Sequence, residues 1–184
     1  SDEQYANDQM DRLIFAIESF KNGDTSVRLT KERDDKFAVL SEAYNDMVDL
    51  VGGVNTEVSR ISRVAGIEGN LSATASNKGA AGVWLEVINN INVLIESIAN
   101  PTIEVGRILD NISKGNLSEK FQLTVTGDFK VMSETINRSL DSLNVFADEV
   151  TRVAKEVGTD GVLGGKANVP NVGGTWKTLT DNVN

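Results

Sequence analysis

The stretch EVTRVAKEVGTDGVLGG, Glu149–Gly165, repeats a phrase the chain has already used twice, as EVSRISRVAGIEGNL at Glu57–Leu71 and EVGRILDNISKGNL at Glu104–Leu117. Each copy carries Glu-Val, an Arg two residues after the Val, and a Gly-x-Leu. Such self-similarity at a spacing near 45 residues marks a repeat architecture. Three anchors define it. The apolar residue that opens the phrase recurs as Leu13, Val58, Val105 and Val150, at steps of 45, 47 and 45. A glycine recurs as Gly23, Gly69, Gly115 and Gly161, at steps of 46. An aromatic recurs as Phe37, Trp84, Phe129 and Trp176, followed at +3 and +7 by apolar residues and at +8 by Asn45, Asn92, Asn137 and Asn184.

The intervals alternate. From opening residue to aromatic is 24, 26, 24 and 26 residues, whereas each aromatic precedes the next opening residue by 21, so the full period is two units, or 92 residues. Twenty-one is three heptads. Taking the aromatic as position a, the first link places Phe37, Leu40, Tyr44, Met47, Val51, Val54, Val58, Ile61 and Ala65 at a and d. The second and third links, from Trp84 and Phe129, repeat the pattern with few exceptions. A strict 3.5-residue period over four heptads predicts coiled-coil-like helices of roughly 30 residues, about 45 Å long. Gly52-Gly53 and Pro101 fall inside two of them, where a bend or a looser helix is expected.

Between the helices lie connectors of roughly 13–17 residues, longer than antiparallel helices need. An extended connector of that length can run back along the preceding helix, so that the next helix starts at the same end and points the same way. Leu71, Leu117 and Leu163, two after each glycine, are expected to pin it, with Val27, Val125 and Val169 pinning its far end. One seam per helix cannot enclose a core, but two chains can, as a parallel four-helix bundle. The expected fold is therefore all-α: units that are each a four-helix coiled-coil bundle formed by a homodimer, stacked into a rod.

Composition excludes several function classes. A net charge of −9 disfavours nucleic-acid and anionic-membrane partners. No Cys and no His are present, which removes thiolate chemistry, the commonest general base and a histidine phosphoacceptor. No apolar run reaches about 18 residues, and no signal peptide is recognised. The chain starts at Ser1 and stops at Asn184 inside a periodic segment, and is read as a piece of a longer protein.

Helix, Gly-x-Leu connector and parallel helix resemble the HAMP domain, the dimeric relay of histidine kinases, chemoreceptors and adenylyl cyclases. Pro101, fourteen before Gly115, resembles the proline of that family's first helix. Asp35 and Asp128 match the acidic start of its second helix, while AGVW before Trp84 and GGTW before Trp176 depart from it. The double period and EVTRVAKEVGTDGVLGG resemble the poly-HAMP arrays of group III hybrid histidine kinases. The resemblance implies four units, at 5–50, 51–97, 98–143 and 144–184, the last cut short. It implies a cytoplasmic, non-catalytic relay between an upstream sensor and a kinase domain of the same parent chain, itself a histidine protein kinase. No cofactor, metal or catalytic residue is expected.

Each candidate site also has a plainer role. Glu57, Glu104 and Glu149 stand three before Arg60, Arg107 and Arg152, a helical pairing distance; a solvated face flanking the seam is the expected role. The Asn series, next to core positions, can hydrogen-bond a connector. Trp84 and Trp176 are expected in the core. GVLGGKANVPNVGG lacks the Ser/Thr of a phosphate loop, and Asp34-Asp35 lacks the βα surroundings of a receiver domain. Three readings remain: a signal relay, a passive coiled-coil spacer, and a ligand-binding helical bundle. A relay array of a chemoreceptor or cyclase is a variant of the first.

Overall fold

The computed structural model describes residues 1–184 and is all-α, with five helices. Helix α1 spans Asp2–Lys21, α2 Lys36–Ile61, α3 Val83–Ser113, α4 Gly127–Gly158 and α5 Gly174–Val183. A π turn, Ser62–Ile67, prolongs α2. None of these helices is long and apolar enough to cross a membrane. The chain divides into two compact units, Ser1–Ala99 and Asn100–Asn184.

Local chemistry sets the helix ends. The Ser1 side chain accepts the Gln4 N–H, and Asp2, Glu3 and Lys21 complement the dipole of α1. Asp35 caps α2 by accepting the N–H groups of Phe37 and Ala38, at 2.9 and 3.1 Å. Asp128, its counterpart, lies within the first turn of α4. All four repeated glycines take left-handed backbone, with φ of +88° at Gly23, +72° at Gly69, +78° at Gly115 and +67° at Gly161. That conformation, which a β-carbon disfavours, turns the chain off a helix end.

Neither Gly52-Gly53 nor Pro101 ends its helix. Helix α2 runs uninterrupted through Gly52-Gly53, and α3 through Pro101. A β-carbon at Gly53 would stand 3.7 Å from Lys78 Cβ, and one at Gly52 4.0 Å from Thr25 Oγ1, both ordinary contact distances.

In the unit Ser1–Ala99, consecutive helices pair in the same direction. Near their starts, the rings of Tyr5 and Phe37 meet edge to face at 5.8 Å, and Tyr5 donates its hydroxyl to Asp35 at 2.9 Å. Further along, Ala16, Tyr44 and Val48 form a buried cluster with Leu13, Phe20, Val27 and Leu29 around it. The Tyr44 hydroxyl donates to the Ala16 carbonyl at 2.8 Å, satisfying a phenol inside that core. Helices α2 and α3 meet through Val54, Ile61 and Ile88, together with Ala75 and Ala80 of the connector. In the unit Asn100–Asn184, Val105, Ile108 and Ile112 of α3 line a gap of about 180 Å³ with Ile136 and Leu140 of α4. Phe146 of α4 meets Trp176 of α5 edge to face at 5.3 Å.

These contacts rank core substitutions. Ile88 and Leu140 are each 1% exposed, so Ile88→Ala and Leu140→Ala should each destabilise by about 2–5 kcal/mol. Val39 is 67% exposed and off the seam, so Val39→Ala should stay within about 0.5 kcal/mol. Urea unfolding of the three variants checks the ranking.

Candidate functional site: side-chain clasps on the connectors

Each connector lies extended beside two helices, and an extended backbone turns alternate N–H and C=O pairs to opposite edges. Helix interiors have no backbone groups to spare, so side chains supply the partners. On one edge the partner is the repeated Asn. Asn45 accepts the Leu29 N–H at 2.9 Å and donates to the Leu29 carbonyl at 2.8 Å. Asn92 does the same with Ala75, at 2.7 and 2.9 Å, and Asn137 with Phe121, at 2.9 and 3.4 Å. Asn184 accepts the Ala167 N–H and donates to its carbonyl at 3.0 Å. A primary amide carries one acceptor and one donor side by side, so it replaces a neighbouring strand for one residue.

On the opposite edge, the Glu–Arg pair of the preceding helix holds the two flanking residues. Glu57 accepts the Ser76 N–H at 2.7 Å while Arg60 donates to the Thr74 carbonyl at 2.8 Å. Glu104 and Arg107 hold the Gln122 N–H and the Lys120 carbonyl at 3.1 and 2.9 Å. Glu149 and Arg152 hold the Asn168 N–H and the Lys166 carbonyl, both at 2.8 Å. Within each pair the guanidinium forks onto the carboxylate, at 3.1 and 2.6 Å for Arg60 on Glu57, a geometry that both orients and strengthens the bond. The expectation of a solvated face is thereby corrected: the Glu57 side chain is 2% exposed, and the pair grips the connector.

Electrostatics follow from this geometry. Arg60, then the Ser76 N–H, holds the Glu57 carboxyl down at about 2. Arg152 and the Asn168 N–H do the same for Glu149, also at about 2. Arg107 is the largest cause of the lowering at Glu104.

The first repeat keeps the Asn contact but lacks the pair. Arg12 and Phe15 stand where the Glu and Arg would be. Arg12 pairs with Glu32, whose other carboxylate oxygen accepts from Gln9 Nε2 at 3.2 Å. Arg28 of the connector turns to Asp49 of α2, at 2.6 Å.

The remaining predicted residues sit as follows. Leu71 and Leu117 are half-buried, whereas Leu163 is 85% exposed; in the last repeat Ala167 and Val169 are the buried connector residues. Phe37 and Phe129 are half-buried, Pro101 is buried, and Trp84 and Trp176 are 39% and 43% exposed in the single chain. The grip of the Glu–Arg pairs on the connector was missed in the sequence. The residue held by Asn keeps one distance from its glycine: Gly23 to Leu29, Gly69 to Ala75, Gly115 to Phe121 and Gly161 to Ala167 are six residues each. An apolar cleft of about 520 Å³ opens between α2 and α3, lined by residues such as Val58, Ile61, Leu71 and Leu94. No buried side-chain nitrogen or oxygen lacks a partner, so no orphaned polar group marks a ligand there.

The family model of the HAMP domain matches residues 80–154. HAMP domains are non-catalytic signal-relay linkers of sensor proteins. No solved structure matches the chain.

Three substitutions test the clasp. Asn92→Ala removes both partners of Ala75, and should cost about 1–3 kcal/mol; Asn92→Asp keeps the acceptor and should cost less. The Glu57 carboxyl is lower in the folded chain than its ordinary 4.5. Its stabilisation is therefore complete above pH 4.5 and is lost as pH falls toward 2. Glu57→Gln should flatten the decline in stability between those values, as urea midpoints at several pH values will show.

Proposed function

We propose that the chain is a tandem HAMP relay, with units at 5–50, 51–97, 98–143 and 144–184, acting as a parallel homodimer inside a cytoplasmic sensor histidine kinase. The observation that carries this reading is the double clasp. In each of the last three repeats one connector residue is tied to the following helix by Asn, and its neighbours to the preceding helix by Glu and Arg. Displacement of the first helix then pulls the connector, and with it the second helix, without passing through a free loop. The 21-residue links continue the same coupling, because α2 and α4 each carry the second helix of one repeat into the first helix of the next. The match to the HAMP model supports the relay class, and the resemblance of Glu149–Gly165 supports the hybrid-kinase parent.

A homodimer is supported by the seam. Its a and d residues divide between a face covered within the chain, with Tyr44, Val54, Ile61 and Ile108 buried, and an uncovered one, with Leu40, Met47, Val87, Leu94 and Ile98 exposed. A second copy presents the same stripe and would complete the bundle. A relay also needs two packings close in free energy, since a signal shifts only a poised equilibrium.

Light scattering should give a mass near twice 19.8 kDa; a monodisperse monomer at micromolar concentration refutes the bundle. In a chimera with a reporter kinase, seven residues inserted after Leu143 preserve the seam and should keep signal polarity. Four residues shift it by about half a heptad and should invert or lock the output. If both insertions signal like the parent, the array is a passive spacer.

A further inference from the structure

The two classes of repeat differ at the end of the first helix. From opening residue to glycine is 10 residues in the first and third repeats (Leu13 to Gly23, Val105 to Gly115) and 11 in the second and fourth (Val58 to Gly69, Val150 to Gly161). The closing hydrogen bonds register the difference. In the first and third, the residue after the glycine reaches back five positions, Asp24 N–H to Ser19 and Asn116 N–H to Asn111, both at 2.9 Å. In the second and fourth it reaches back six, Asn70 N–H to Val64 at 3.0 Å and Val162 N–H to Glu156 at 2.9 Å. In the second repeat the additional residue widens the helix into the π turn Ser62–Ile67, in which no residue is buried.

From the glycine onward, six residues reach the clasped centre in every repeat. The connector is thus held at one distance from its glycine, and the extra residue is slack confined between Arg60 and Gly69. We propose that this residue makes the closing turn of the second repeat a compliant joint, which opens and recloses while the clasp on Thr74–Ser76 stays shut. The turns of the first and third repeats have no such slack and open only with the helix end itself. No side chain is buried in this turn or in 19–24 and 111–116, so the difference in compliance rests on the wider hydrogen-bonded loop of the π turn. The inference concerns the chain's mechanics and stands whether or not the array relays a signal.

Hydrogen exchange of the intact chain tests it. Amides of 63–70 should exchange about tenfold faster than those of 19–24 and 111–116, while the Ala75 and Ser76 amides stay protected. Deleting Gly66 removes the extra residue and should slow 63–70 to the level of the other two turns. Gly66→Ala keeps the residue count, and a β-carbon there meets nothing within 4 Å; it should leave exchange within about twofold. Equal exchange of all these turns in the unaltered chain overturns the proposal even if the deletion variant fails to fold. Gly66→Ala slowing exchange as much as the deletion overturns it too, by assigning the compliance to glycine. Loss of protection at Ala75 and Ser76 together with 63–70 overturns it by showing that turn and clasp open as one.

Discussion

An extended segment packed between helices must satisfy its backbone without a sheet, and the rest of this chain is arranged around that constraint. Buried peptide groups left unpaired cost as much as lost hydrogen bonds. Here the solution is local: one residue has both its groups taken by an amide, and its neighbours are taken by an ion pair. The requirement fixes the Asn one position after a seam residue, so that it faces the connector while the seam faces the core. It fixes Glu and Arg three apart on the other helix, where both reach the same edge. It sets no size for the clasped centre: Ala75, Phe121 and Ala167 are all buried there.

The clasp also explains how nearly buried carboxylates are tolerated. A charge removed from water is costly unless paired and hydrogen-bonded. Glu57 has Arg60 on one side and the Ser76 N–H and hydroxyl on the other. Breaking any one of these exposes the others to an unpaired charge, so connector and helices hold or fail together. The first repeat is built otherwise, through Arg12, Gln9 and Glu32 on one side and Arg28 with Asp49 on the other. The charged groups among these are exposed, and exposed pairs contribute little; Gln9 is buried. Its cohesion rests more on the buried Ala16–Tyr44–Val48 cluster.

The helices were legible because their signal is periodic and summed over many residues. The heptads from Phe37, Trp84 and Phe129 correspond to α2, α3 and α4, and the Asn series pointed to a connector bond that the structure contains. The Glu–Arg pairs were legible only as an intrahelical spacing. Their main partners are backbone groups, which any residue type supplies, so composition carries no trace of them. The closing bond that reaches back six residues was present as an interval of 11 instead of 10, hidden within the larger alternation of 24 and 26. Leu163 illustrates the reverse failure: position in a repeat does not assure burial when Ala167 and Val169 occupy the contact.

Extended chain is usually a hazard, because a free row of peptide groups recruits other strands and seeds aggregation. In the last three connectors the amide occupies one edge and the ion pair the other, so a peptide approaching from either side meets groups already engaged. The helices thereby act as caps against strand addition as well as partners in packing. The first connector is the exception. No Glu–Arg pair covers its outer edge, and a groove of about 470 Å³ runs along Val27–Thr30 beside Arg12 and Phe15. Of the four extended segments, that one is left least shielded from intermolecular pairing.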